Sequence, residues 1–190
     1  MFDMYQDIYD RRAEHPNYWY NKSSDLRASA GALWHSMEKE RNNDIVAALS
    51  LEKGFSIAVA CWPVYQMNFG MSFELMLKAI ALASKLPPQM THNLIKLADY
   101  ADVKLNTDEQ KVFSVLTESI IWDGRYPTPK NKKTLEAHYK NASDVLLDEY
   151  ETSLGGFKIK VSNGLLDWSN LDRIWRRLAN IFHEHNINAS

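Results

Sequence analysis

Apolar positions recur at helical spacing along most of the chain. Leu26, Ala30, Leu33, Trp34 and Met37 fall at i, i+4, i+7, i+8 and i+11, one face of an α-helix. Ser23 or Ser24 is placed to cap it. Ahead of it a short helix is expected over Asp3 to Ala13, ending before Pro16. Tyr18, Trp19 and Tyr20 either pack this arm onto the body or form an exposed recognition patch. Asp44 is positioned to cap a helix opening Ile45-Val46-Ala47. The apolar run Phe69, Phe73, Met76, Leu77 and Ile80 predicts a long central helix. Pro63 lacks a backbone donor, so this helix is expected to start there after a break near Trp62. Pro87-Pro88 ends it.

Beyond the prolines, Leu94, Leu97, Ala98 and Ala101 mark a helix from about His92. Thr107 and Gln110 read as a capping box for the next, which runs to about Trp122. Gly124 suits a left-handed position after a helix end. The Tyr-Pro and Thr-Pro steps then force extended backbone at Tyr126 and Thr128. A further helix is expected over Lys132 to Thr152. Gly155-Gly156 breaks the pattern, and Phe157, Ile159 and Val161 alternate with lysines toward an Asn163-Gly164 turn. This reads as a short β-hairpin or extended insertion near 156–166. Ser169 with Asp172 makes an S-x-x-D cap for a last helix to about His185. The expected fold class is all-α: one compact helical domain over 1–190, with an aromatic arm over 1–22 and a core over about 24–186.

Composition narrows the functions available. Hydrophobic residues make up 45% of the 190 and the net charge is −2, so nucleic-acid binding requires a local basic patch. One cysteine, Cys61, excludes an internal disulfide and any multi-cysteine zinc site; its apolar neighbours suggest a buried, inert thiol. No stretch reaches the ~18 uninterrupted apolar residues of a membrane span. The N-terminus lacks the pattern of a signal peptide, which makes the cytoplasm the expected compartment, with no membrane association. P-loop, Gly-x-Gly-x-x-Gly, Gly-x-Ser-x-Gly and His-Glu-x-x-His patterns are absent from the sequence, so no cofactor or metal is expected.

Three clusters carry candidate chemistry. On the last helix Leu171, Ile174, Trp175, Leu178 and Phe182 form the buried stripe. Arg173, Arg176, Asn180 and His183 share another side. Arg176 and His183 are two turns apart, ~20° offset, and point the same way. Such a stripe either holds a phosphate and moves a proton or is a solvated polar face. The second cluster joins Arg125 to Lys130, Lys132 and Lys133, with Asp144, Asp148, Glu149 and Glu151 following. A helix with a basic start and an acidic end opposes its own dipole. That invites a phosphate at its N-terminus, unless the run is simply solvated. Third, Glu74 and Lys78 lie i, i+4 within an apolar run and are expected to pair internally.

The segments GMSFELMLKAIALA and THNLIKLADYADVKLNTDEQKVFSVLTESIIWDGRYPTPK resemble HEPN-like proteins (higher eukaryotes and prokaryotes nucleotide-binding domain). The likeness rests on Glu74 and Lys78, on the His92-x-Leu94-x-x-Leu97 helix and on the Trp122-x-Gly124-Arg125-Tyr126-Pro127 stop. It covers about residues 69 to 130. The resemblance implies a HEPN-like helical bundle, often a homodimer, that is directed at RNA or a nucleotide. Many such proteins work in toxin–antitoxin or phage-defence systems, with an antitoxin or other protein partner. Catalytic members are metal-independent ribonucleases with an arginine, four to six residues, then a histidine. Arg176-x6-His183 and Arg177-x5-His183 meet that spacing and depart from the commoner four. The implied catalytic pair is Arg176 and His183, supported by Asn180 and Arg177. Arg125, Lys130, Lys132 and Lys133 are implied phosphate contacts. A non-catalytic helical module for protein interaction is the alternative.

Overall fold

The computed structural model describes residues 4–151 and 158–188. The expected mostly helical architecture is present: α1 (Met4–Glu14), α2 (Pro16–Ser36), α3 (Asn42–Ala48), α4 (Ile57–Ala83), α5 (Leu94–Tyr100), α6 (Thr107–Glu118), α7 (Lys132–Leu146) and α8 (Trp168–Asn188). A two-stranded antiparallel sheet, β1 (Leu147–Glu151) with β2 (Lys158–Ser162), lies between α7 and α8.

Helix α4 is the axis of the bundle, as its composition predicts. Phe69, Phe73, Met76, Leu77 and Ile80 are fully buried. Small residues let α2 approach closely: Ser23 Oγ donates to the Ser72 carbonyl and Ser72 Oγ to the Ser23 carbonyl, both at 2.7 Å. Trp175 Nε1 on α8 donates to Ser23 Oγ at 3.0 Å, so three helices meet at one satisfied polar point within the core. The predicted stripes of α5 and α8 are buried. Lys78 Nζ meets Glu74 Oε1 at 2.7 Å inside the bundle, and His92 Nδ1 lies 2.8 Å from Glu74 Oε2.

Several local expectations are corrected. Helix α2 begins at Pro16 rather than at Ser23 or Ser24, because His15 Nδ1 accepts from Asn17 N and proline fits the first turn. Trp19 and Tyr20 therefore pack against the core from within a helix, while Tyr18 is exposed. Asp44 lies in the first turn of α3 and does not cap it. Pro63 does not break α4. Ser56 caps that helix from Val59 N, and the cost of an interior proline is met by burying Tyr65 and Phe69 beyond it. Helix α4 stops at Ala83, ahead of the proline pair, with Lys85 left-handed at φ 62°. Cys61 is half-buried.

The capping box of α6 uses Asn106 and Glu109, one residue earlier than Thr107 and Gln110: Glu109 N donates to Asn106 Oδ1 and Asn106 N to Glu109 Oε2. Gly124 is right-handed, at φ −76°. A side chain there would collide with Met67, so close approach to α4 accounts for the glycine. Ser169 lies inside the first turn of α8, and Asp172 is spent on arginines.

The largest correction concerns residues 147–151, which form a strand instead of extending α7. Leu-Asp-Glu-Tyr-Glu pairs with Lys-Ile-Lys-Val-Ser, matching Glu149 to Lys160 and Glu151 to Lys158 in register. Lys158 Nζ also meets Glu149 Oε1 at 2.6 Å. Opposite charges across the ladder stabilise it. The acids expected to oppose the dipole of α7 are mostly on β1. Gly155, Gly156 and Phe157 of the expected insertion lie outside the described residues.

Gly70 tests how tightly α4 packs. A Cβ there would meet Ile120 Cγ1 at 2.7 Å and the Leu116 carbonyl at 3.0 Å. Gly70→Ala is expected to destabilise the fold by about 1–3 kcal/mol despite alanine's better helix propensity. Urea unfolding checks this; an unchanged midpoint would show that the π-helical segment Ser119–Asp123 gives way freely.

Candidate functional site

The amphipathic pattern of α8 places its two sides unambiguously. With Leu171, Ile174, Leu178 and Phe182 buried against the bundle, Arg173, Arg176, Asn180 and His183 are exposed. Arg176 and His183 thus share the solvent side of one helix. Arg176 Nε donates to Asp172 Oδ2 at 2.7 Å. Asp172 also accepts from Arg27 Nε at 2.6 Å, and Arg27 lies over the Trp175 ring at 4.6 Å. Burial pushes the Asp172 carboxyl up, but hydrogen bonds from Arg176 and Arg27 outweigh it and hold the carboxyl below its ordinary range. The same contact raises the Arg176 guanidinium.

A carboxyl lowered in the folded state contributes stability above its unfolded value and loses it as pH falls through the folded one. Asp172→Asn is therefore expected to lower stability by a constant amount from pH 7 to 5. The gap should close below about pH 4. Denaturant melts across that range check this, and a gap that persists at low pH would assign the loss to packing.

His183 is held by α2. Its Nε2 lies 3.3 Å from Tyr20 Oη, and the rings meet edge-on at 5.1 Å. Tyr20 in turn stacks on Phe182 at 4.6 Å. Where His183 Nε2–H donates to the tyrosine oxygen, Nδ1 carries the free lone pair. His185 turns the other way, with Nδ1 2.6 Å from Ser84 Oγ.

Arg177, the neighbouring candidate, is engaged elsewhere. Its Nε and Nη2 bind the Glu109 carboxylate at 3.0 and 2.8 Å, and Glu109 is buried. The arginine side chain is 34% exposed. This bidentate pair ties α8 to the start of α6 and removes Arg177 from the solvent stripe.

The basic run gathers elsewhere. Arg125 Nη2 donates to the Ile121 carbonyl at 2.6 Å, and its guanidinium lies 5.5 Å from the Tyr126 ring centre. Lys132 meets Glu136 at 3.3 Å, and Lys130 is exposed. Lys133 borders a cavity of about 480 Å³ between α5, α6 and α7. No hydrogen bond or ion pair among the described residues joins this run to the α8 stripe. Sequence reasoning passed over a buried histidine in the cavity wall, His138, which lies there with the buried Thr117. Its signal was present: Leu135, His138, Ala142 and Val145 fall on one side of α7, a histidine within an apolar stripe.

Among the described residues no group of three or more His, Cys, Asp or Glu side chains is arranged to hold a metal ion. No described helix is long and apolar enough to cross a membrane. Comparison with known proteins finds no matching family model, no matching curated protein and no matching solved structure.

Proposed function

We propose that this chain is an RNA-directed, HEPN-like ribonuclease whose reacting groups lie on the exposed stripe of α8. The observation that carries the reading is that Arg176 and His183 face solvent on one helix, with the histidine ring fixed by Tyr20 and one nitrogen left free. A shallow, exposed stripe on one chain leaves substrate room for a second copy to complete the cleft, as the resemblance implies.

The chemistry follows from these groups. His183 Nδ1 takes the proton of an RNA 2′-hydroxyl as that oxygen attacks the adjacent phosphorus. Arg176 leaves Asp172 for the phosphoryl oxygens, where it stabilises developing negative charge. Asp172 stays paired with Arg27 when Arg176 departs. The bond from phosphorus to the 5′-oxygen breaks and that oxygen takes a proton from water, giving a 2′,3′-cyclic phosphate and a 5′-hydroxyl; His183 later returns its proton to solvent. Asn180, between the two on the exposed side, is available to a phosphate or ribose oxygen. Arg125, Lys130, Lys132 and Lys133 would hold flanking backbone. A defence setting, with an antitoxin partner, belongs to the same proposal.

The second reading, a non-catalytic interaction module, is favoured by one region. Helix α1 buries no residue and exposes Met4 and Tyr9. An apolar groove of about 630 Å³ lies between α2 and α4 at Trp34, Met37, Val59 and Trp62. RNA cleavage separates the readings: the parent protein should cleave structured RNA, and His183→Ala and Arg176→Ala should each lose about 100-fold or more. Equal activity in all three would reject the α8 site.

A further inference from the structure

The groove between α2 and α4 continues past Met37 into a second hollow, and the two make one trough. The groove holds about 630 Å³. The hollow, between α3, the loop after it and the start of α4, holds about 640 Å³. Met37 and Ala58 line both. The groove is backed by stacked rings: Trp34 and Trp62 meet at 6.4 Å between centres, and both contact Tyr65, at 5.2 and 5.7 Å. Tyr65 is fully buried, and its hydroxyl donates to the Leu166 carbonyl at 2.9 Å. The hollow is also held in shape. Asn42 Nδ2 donates to the Phe55 carbonyl at 3.2 Å, and Asn42 Oδ1 accepts from Ile57 N at 2.9 Å.

The chemistry differs between the two ends. Trp34, Met37, Ala58 and Trp62 make the groove almost wholly apolar, with Val59 74% exposed beside them. Val46, Leu51 and Phe55 carry the apolar wall into the hollow, where Lys39 and Lys53 join it. Neither lysine forms an ion pair or hydrogen bond among the described residues. The acid in the groove wall, Glu38, is taken at both oxygens, by His35 Nδ1 at 2.6 Å and by Arg41 Nε at 2.9 Å. Continuous exposed apolar surface of this kind marks a binding site. An apolar wall with two free positive charges confined to one end is complementary to an amphiphile with an anionic head.

We propose that this trough binds a single-chain amphiphile of the long-chain carboxylate class. Its alkyl chain lies along Trp34, Trp62 and Met37, and its carboxylate on Lys39 and Lys53. Met37, where groove and hollow meet, is unbranched and adapts to an irregular alkyl chain. Both volumes fall in the range of small-molecule sites, about 300–1,000 Å³. The inference does not rest on the RNA reading, since none of these residues is on α8. It assigns the groove a small ligand in place of a protein partner.

Isothermal titration calorimetry on the full chain, with each probe below its micelle concentration, tests it. The probes are laurate, decanoate and dodecyltrimethylammonium. Laurate should bind as a single molecule per chain. Decanoate, two methylenes shorter, should bind about fourfold or more weaker, and the cationic probe about tenfold or more weaker. Lys39→Gln with Lys53→Gln should erase the preference for laurate over the cation. Ala58→Glu sets an acid where groove and hollow meet and should abolish laurate binding. Ala58 is exposed in the first turn of α4, where a carboxylate suits the helix dipole, so this variant should melt near the parent. His183→Ala should bind laurate like the parent. No laurate binding, many molecules bound per chain, equal affinity for both head charges, or binding indifferent to Ala58→Glu would each overturn the proposal. So would binding of phosphatidylglycerol vesicles, or self-association removed by Ala58→Glu, without binding of laurate, since either gives the trough another occupant.

Discussion

Glu74→Leu is expected to destabilise the protein by about 3–5 kcal/mol, a fall of roughly 6 to 20 °C in melting temperature for a domain of this size. Glu74 and Lys78 are both buried on α4, the helix around which the bundle is built. The carboxylate holds Lys78 through one oxygen and meets His92 through the other. Without it the ammonium stays inside the bundle with only the Trp19 ring nearby, 5.9 Å from its centre. That contact is worth far less than a buried ion pair. Because the cost lies in the orphaned charge and not in the missing pair, Glu74→Leu combined with Lys78→Met should recover most of the loss. A single variant that melts like the parent would show that Lys78 escapes to water. A double variant no better than the single would assign the effect to His92 and the start of α5.

The second large effect separates two neighbouring arginines. Arg177→Ala should destabilise by about 2–3 kcal/mol, because it strips two hydrogen bonds from the buried Glu109 carboxylate. Glu109 would keep only its capping bond from Asn106 N, at 3.1 Å. Arg176→Ala should leave the melting curve where it was: its guanidinium is exposed, and Asp172 retains Arg27. Under the RNA reading the effects on cleavage run the other way. Arg176→Ala loses activity in a fully folded protein, and Arg177→Ala retains it at temperatures where the protein stays folded. Thermal melts and cleavage rates on the two variants give the comparison. Equal destabilisation by both would contradict the placement of the two side chains.

The pattern of buried stripes was legible because it depends on spacing alone. Leu171 to Phe182 on α8 and Leu94 to Ala101 on α5 follow helical periodicity, and their burial matches it. The Glu74–Lys78 pair was legible for the same reason, since i, i+4 charges on an apolar helix have few other partners. Boundaries were harder wherever a tertiary contact overrode a local signal. Pro63 reads as a break, yet α4 runs through it because the residues beyond are wanted in the core. Residues 147–151 read as helix until their cross-strand partners are known, since Glu149 and Glu151 take their meaning from Lys160 and Lys158. The exposed side of α8 could be assigned from periodicity. The bidentate Arg177–Glu109 contact could not, because it joins residues 68 apart in the chain. The α5–α6–α7 cavity depends on three helices meeting, and only the single histidine on the apolar side of α7 signalled it.

The most direct test of the RNA reading is the chemistry of the cleaved ends. A short RNA with a fluorescent 5′ label, incubated with the parent protein and with His183→Ala in the presence of a metal chelator, resolves both products. The parent should generate fragments ending in a 2′,3′-cyclic phosphate at undiminished rate, and His183→Ala should generate almost none. Fragments ending in a 3′-hydroxyl, activity abolished by the chelator, or a fully active His183→Ala would contradict it.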